Sequence, residues 1–117
     1  MATIRKFSRH VVVAVETVKT HIDCHPSNGE TAAQLASRVQ ISRNVLQDVF
    51  KWRYGVHIGH YKLQLRMRRA QQLLQNGHAI KEVAILLKYS SPSAFCSAFK
   101  NFTGQTPAQW HHGNKLS

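Results

Sequence analysis

Ser42-Arg43-Asn44-Val45-Leu46-Gln47-Asp48-Val49-Phe50-Lys51, closed by Gly55, decides the fold, because the chain repeats its outline as Ser91-Pro92-Ser93-Ala94-Phe95-Cys96-Ser97-Ala98-Phe99-Lys100, closed by Gly104. Ser42, Leu46, Phe50, Lys51 and Gly55 each have a counterpart 49 positions later. Upstream, Leu35-Ala36 with Val39 returns as Val83-Ala84 with Leu87 at an offset of 48, so one residue differs between the copies. Each copy reads as a helix, a short polar turn and a second helix stopped by glycine, which is a helix-turn-helix pattern. Two such units in a basic chain imply two heads for nucleic acid on one polypeptide.

Working outward, Val11, Val12, Val15, Val18 and Ile22 recur at three- and four-residue steps and predict an amphipathic helix over 8–24. The breaker cluster His25-Pro26-Ser27-Asn28-Gly29 ends it. Thr31 with Gln34 makes a capping box that opens a second helix, its Leu35, Ala36 and Val39 facing inward. Ser42 caps the third, where Val45, Leu46, Val49, Phe50 and Arg53 share one flank, and Gly55 supplies a left-handed stop.

A long helix follows from Ile58 to Gln75, ~27 Å at 1.5 Å per residue. Ile58, Tyr61, Leu65, Ala70, Leu73 and Leu74 are its expected buried set, and Lys62, Arg66, Arg68 and Arg69 make it densely positive. Asn76-Gly77 stops it. The second unit runs from Ile80 to Lys88 and, after Tyr89-Ser90, from Ser91 to Phe102, with Phe95, Phe99 and Phe102 packed. Ser91-Pro92 is an N-cap followed by proline where a missing N–H costs nothing. Pro107 begins a final turn ending near Trp110.

No strand is needed, so the expected class is all-α, with about seven helices. The organisation is a first helix-turn-helix subdomain over 8–56, a linker helix over 57–76, a second subdomain over 77–112 and a disordered tail over 113–117.

The 117 residues carry 16 Lys+Arg against 5 Asp+Glu, a net charge of +11, which favours a polyanionic partner and salt-sensitive binding. Five acidic residues, no two placed as an acid/base pair, leave catalysis without support, so no enzyme is expected. Cys24 and Cys96 build no framework of bridges and fit a reducing cytosol. Arg5, Lys6, Arg9 and His10 before Val11–Val15 resemble a signal peptide, but the apolar run is too short and Glu16 and Lys19 follow it. No segment reaches the roughly 20 apolar residues of a membrane span. A soluble, cytoplasmic protein is expected.

A helix-turn-helix places its second helix in the major groove with the N-terminal residues against base edges. Arg43, Asn44, Gln47 and Asp48 lie away from the packed flank of the third helix. Arg pairs with guanine and Asn or Gln with adenine through two bonds each. In the second copy Pro92, Ser93, Cys96 and Ser97 take these places; being short, they discriminate weakly, and the first head should carry most sequence information. Ser42, Lys51, Lys62, Arg66, Ser91 and Lys100 are the expected contacts to the DNA backbone. Asp48 repels phosphate unless it accepts from cytosine or pairs with Arg43 or Lys51.

The run Ile80-Lys81-Glu82-Val83-Ala84 through Lys88-Tyr89-Ser90-Ser91-Pro92-Ser93-Ala94-Phe95, then Phe99-Lys100, Gly104 and Thr106-Pro107, resembles the signature of the AraC/XylS transcription regulators, and Arg66 to Leu74 resembles the linker helix that precedes it. The resemblance covers residues 10–112. It implies a bacterial, sequence-specific double-stranded-DNA-binding regulator, an activator that sets its two reading helices into successive major grooves as a monomer. Lys88 stands where the family usually has glycine, Asp48 and Ser97 where basic residues are common, and Trp110-His111 where Tyr-Arg is usual. The family's separate sensing or dimerisation domain has no counterpart here, so the chain resembles the small stand-alone members or the DNA-binding part of a longer regulator.

The alternative, from another class, is a protein-interaction module that binds RNA polymerase or another regulator, with incidental DNA affinity. No cofactor is expected. His21, Cys24 and His25 can share a helical face, yet a zinc site lacks an evident fourth ligand, and no metal is expected.

Overall fold

A computed structural model describes residues 8–25 and 29–116, the stretch from 112 by backbone alone. Pro26, Ser27 and Asn28 of the breaker cluster lie outside the described residues, as do Arg5 and Lys6 and the terminal Ser117. The described residues hold seven helices and no strand: α1 (Arg9–Cys24), α2 (Ala32–Arg38), α3 (Arg43–Tyr54), α4 (Ile58–Gln75), α5 (Ile80–Leu86), α6 (Pro92–Thr103) and α7 (Pro107–Leu116). The fold is all-α. None of these helices is long and apolar enough to cross a membrane.

The chain divides into two compact units, Met1–Leu65 and Arg66–Ser117, with the division inside α4. In the first, Val15, Val18, Ile22, Leu35, Ala36, Leu46, Val49, Phe50 and Ile58 form one buried cluster. The second buries Met67, Ala70, Leu73, Leu74, Val83, Ala84, Leu87, Phe95 and Phe99. Met67, fully buried, is absent from the face expected of α4. A single-stripe reading from Ile58, Tyr61 and Leu65 steps past it. One helix here contributes to two cores, so its apolar residues do not follow one stripe.

Local chemistry ends the helices where the sequence places the ends. The Val45 N–H donates to Ser42 Oγ at 3.1 Å, and the Ala94 N–H donates to Ser91 Oγ at 3.0 Å. Thr31 and Gln34 bond reciprocally, each side chain accepting from the other's backbone N–H. Gly55 and Gly104 stop α3 and α6 at φ of 84° and 87°, where a side chain would be strained.

Both turns close as Schellman motifs. The Ile41 N–H donates to the Ala36 carbonyl and the Tyr89 N–H to the Ala84 carbonyl, with Gln40 (φ 59°) and Lys88 (φ 63°) left-handed. Only Ile41 separates Gln40 from Ser42, whereas Tyr89 and Ser90 separate Lys88 from Ser91, so Ser90 is the extra residue of the second copy.

A left-handed Lys costs about 1–2 kcal/mol, while glycine gives back ~0.5–1 kcal/mol through its larger unfolded-state entropy. Lys88→Gly is therefore expected to stabilise the protein by about 0.5 kcal/mol. Urea denaturation followed by circular dichroism measures it, and an unchanged or lowered midpoint refutes it.

Three expectations need correction. Val45 and Phe102, placed on packed flanks, are each 37% exposed. Each lies at the margin of its apolar stripe, beside Leu46 or near Phe99, where a neighbouring position already fills the core. Arg53, placed with Val45, is exposed and its Nη2 donates to Glu16 Oε2 at 2.8 Å. The final turn is a ten-residue helix that covers all of the expected tail except Ser117. Its start explains this: Thr106 and Gln109 form a second reciprocal capping box around Pro107.

Candidate nucleic-acid interface

α3 presents Arg43, Asn44 and Asp48 to solvent, with Lys51 one turn farther on, also exposed. Asp48 makes no ion pair with Arg43 or Lys51. Gln47 differs from these. It is half-buried, and its Oε1 accepts from the Ile58 N–H at 3.4 Å, across the loop that joins α3 to α4. One of the unpaired amides at the start of α4 is thereby satisfied by a residue chosen from the sequence as a base reader.

Exposed surface beside these residues includes two apolar side chains, Val45 and Trp52, the latter 38% exposed. Sequence periodicity put Val45 on the packed side and so missed it. The signal available was its place in the first turn of α3, where an apolar group can meet a thymine methyl.

α6 presents Pro92, Ser93 and Ser97 to solvent, with Cys96 half-buried between core and surface. Lys100 is exposed near the far end. Ser42 and Ser91 have their hydroxyl oxygens engaged as helix caps, which leaves each O–H as a donor. Among the described residues both cysteines are free thiols.

The two α4 cations expected to contact DNA, Lys62 and Arg66, have partners within their own units. Lys62 Nζ donates to the Glu30 carbonyl oxygen, which fastens α4 to the segment before α2. The Arg66 guanidinium lies 5.2 Å above the Tyr89 ring. Tyr89 also has its hydroxyl buried with no hydrogen-bond partner.

Glu30 is the hub of the first unit's polar contacts. Its Oε2 accepts from Arg38 Nε and its Oε1 lies 2.7 Å from His21 Nε2. His21 also stacks on His25 at 4.7 Å between ring centroids. His21 is thus engaged with Glu30, and the described residues contain no cluster of three metal-ligating groups.

Arg38 first and His21 second hold the Glu30 carboxyl below the usual carboxylate range. A lowered folded value contributes stability above the unfolded value of about 4.3 and loses it as pH falls through the folded one. Glu30→Gln should therefore lower stability at pH 7 and flatten the acid limb below about pH 4.3, the two proteins converging as Glu30 becomes protonated. Melting temperatures of both proteins between pH 3 and 7 test this; parallel curves would contradict it.

The geometry is that of two helix-turn-helix units, each with a capped second helix whose first turns stand in solvent. A helix-turn-helix domain family model matches residues 35–113. The Msm operon regulatory protein of Streptococcus mutans is 32% identical over 97 residues, 82% of this chain and 35% of that protein. The transcriptional activator RhaR of Enterobacter sp. is 34% identical over 77 residues, 65% of this chain and 27% of that protein. The chain thus spans about a third or less of the length of these relatives. Among solved structures, the DNA-binding domain of AdpA, determined with a target DNA, aligns with a TM-score of 0.78 over 87% of this chain and 93% of that one, at 23% identity. The first of these relatives is named as an operon regulatory protein and the second as a helix-turn-helix transcriptional activator. With two capped helix-turn-helix units and a family model spanning both turns, the chain belongs to the AraC-type helix-turn-helix family of DNA-binding regulators.

Proposed function

We infer that the chain binds double-stranded DNA with sequence preference in the cytoplasm and activates transcription, one molecule reading two adjacent major grooves through α3 and α6. The observation that carries this is the duplication itself. Two second helices have the same serine cap, glycine stop and lysine near the end, in a chain of charge +11. A monomer with two unlike heads fits a non-palindromic site of two different boxes. That RhaR is named an activator and that AdpA is solved on target DNA support the reading.

Arg43 and Asn44, exposed in the first turn of α3, carry base discrimination. Asp48 accepts from cytosine, the one role in which its carboxylate does not oppose the backbone. Gln47 reaches a base only by leaving Ile58, so its substitution reports partly on the α3–α4 joint. Pro92, Ser93, Cys96 and Ser97 form the weaker second reader. Lys51 and Lys100 meet phosphates, with Ser42, Ser91, Lys62 and Arg66 as further backbone contacts.

Arg43→Ala is expected to cost about 1–3 kcal/mol on the cognate duplex and to relax preference at one base pair. Titration against duplexes varied at every position measures it; an equal loss on random DNA would remove Arg43 from the readers. Selection of sites from random duplexes tests the whole proposal, since two conserved boxes are expected and a single short tract contradicts two-groove reading.

A protein-interaction module is the second reading, with RNA polymerase or another regulator as partner. Ile85 and Leu86, 67% and 51% exposed on α5, favour a protein contact in addition. A selected duplex bound less than about tenfold more tightly than random DNA would favour this reading over the first.

A further inference from the structure

The second unit contains a cavity of about 420 Å³ bounded by the end of α4, the turn before α5 and the first turns of α7. Leu74, Ala79, Ile80, Pro107 and Ala108 give it apolar walls, and His78 and His111 add an imidazole from each side. None of the residues assigned to DNA lines it. Its volume lies within the range of small-molecule sites, and its lining has their composition, mostly apolar with few polar groups.

We propose that this cavity binds a small molecule with an apolar body and a carboxylate head. The apolar part follows from the walls: Leu74 and Pro107 are buried at the base, while Ile80 is half-buried. The charge of the head follows from what surrounds it. Both polar side chains of the lining are imidazoles, which donate to an anion, and no acidic residue is among them. Ala108 lines the cavity too. It is the second residue of α7, after Pro107, so its amide has no carbonyl of its own helix to bond, while the Gln109 and Trp110 amides go to Thr106. A ligand of roughly ten non-hydrogen atoms fits such a space, with affinity in the micromolar to millimolar range.

Nuclear magnetic resonance on the whole labelled chain, titrated with 4-phenylbutyrate and separately with 4-phenylbutan-1-ol, tests the proposal. Saturable shifts at His78, Ile80, Ala108 and His111 are expected with the acid, and binding of the alcohol at least about tenfold weaker, as loss of one charge-assisted contact would give. Ala108→Trp, at an exposed position, fills the space and should abolish the shifts with an unchanged melting temperature. If that variant does not fold, His78→Ala should weaken the acid severalfold and leave the alcohol unaffected. No saturable shift at millimolar acid, shifts centred on other residues, or equal binding of acid and alcohol would each overturn it. None of these outcomes bears on DNA recognition, which is measured separately on the ligand-free chain.

Discussion

Phe50→Ala is expected to destabilise the first unit by about 3–5 kcal/mol, most of what a small domain has. The Phe50 ring is fully buried, its centroid 4.8 Å from that of Tyr54 and 5.6 Å from that of Tyr61. It meets residues of α1, α2 and α4 in one cluster, so no single side chain can move in to fill the space. The helix that presents Arg43 and Asn44 is the one that loses its anchor. Phe99→Ala is the matching change in the second unit: Phe99 is fully buried, 5.7 Å from Phe95 and 5.8 Å from Trp110. Urea titration read by Trp52 emission for the first unit and Trp110 emission for the second checks both. A loss under about 1.5 kcal/mol in either would mean that its core collapses onto the gap.

Salt should produce the second large effect. If Lys51, Lys62, Arg66 and Lys100 each neutralise a phosphate, the slope of log affinity against log salt is about −3.6, at ~0.9 per contact. Raising salt from 50 to 200 mM then weakens binding roughly 150-fold, about 3 kcal/mol. The engagements of Lys62 and Arg66 do not remove them from this set. A phosphate can compete with the Glu30 carbonyl for the Lys62 ammonium, while a guanidinium stacked on Tyr89 keeps its edge N–H groups. Lys100→Ala should flatten the slope by about 0.9 and weaken cognate and random duplexes alike. A slope near −1.8 would mean that only the two unengaged lysines touch DNA.

The sequence made the ends of the helices readable. Ser42, Ser91, Thr31 with Gln34, Gly55 and Gly104 act within four residues of themselves, through bonds that depend on little else. The same locality made the repeat visible, down to a difference of one residue that the structure assigns to Ser90. What the sequence could not show are the contacts made across long stretches of chain. Met67 is buried because α4 contributes to two cores, and a single periodic stripe has no place for it. The length of α7 was missed because Pro107 was read as the start of one turn only, without the Thr106–Gln109 box that caps the helix.

For the candidate interface the division is similar. The polar face of α3 follows from spacing, so Arg43, Asn44, Asp48 and Lys51 are exposed as expected. Spacing gives the face of a side chain, but its partner comes from another part of the chain. Gln47 meets an amide 11 positions on, and Lys62 a carbonyl 32 positions back. By itself, then, the sequence determined an all-α chain with one motif used twice and the boundaries of nearly every helix, since capping and left-handed stops are local. The tertiary structure alone decided which polar groups stay open to a ligand, because that depends on which distant backbone atoms folding brings within bonding distance.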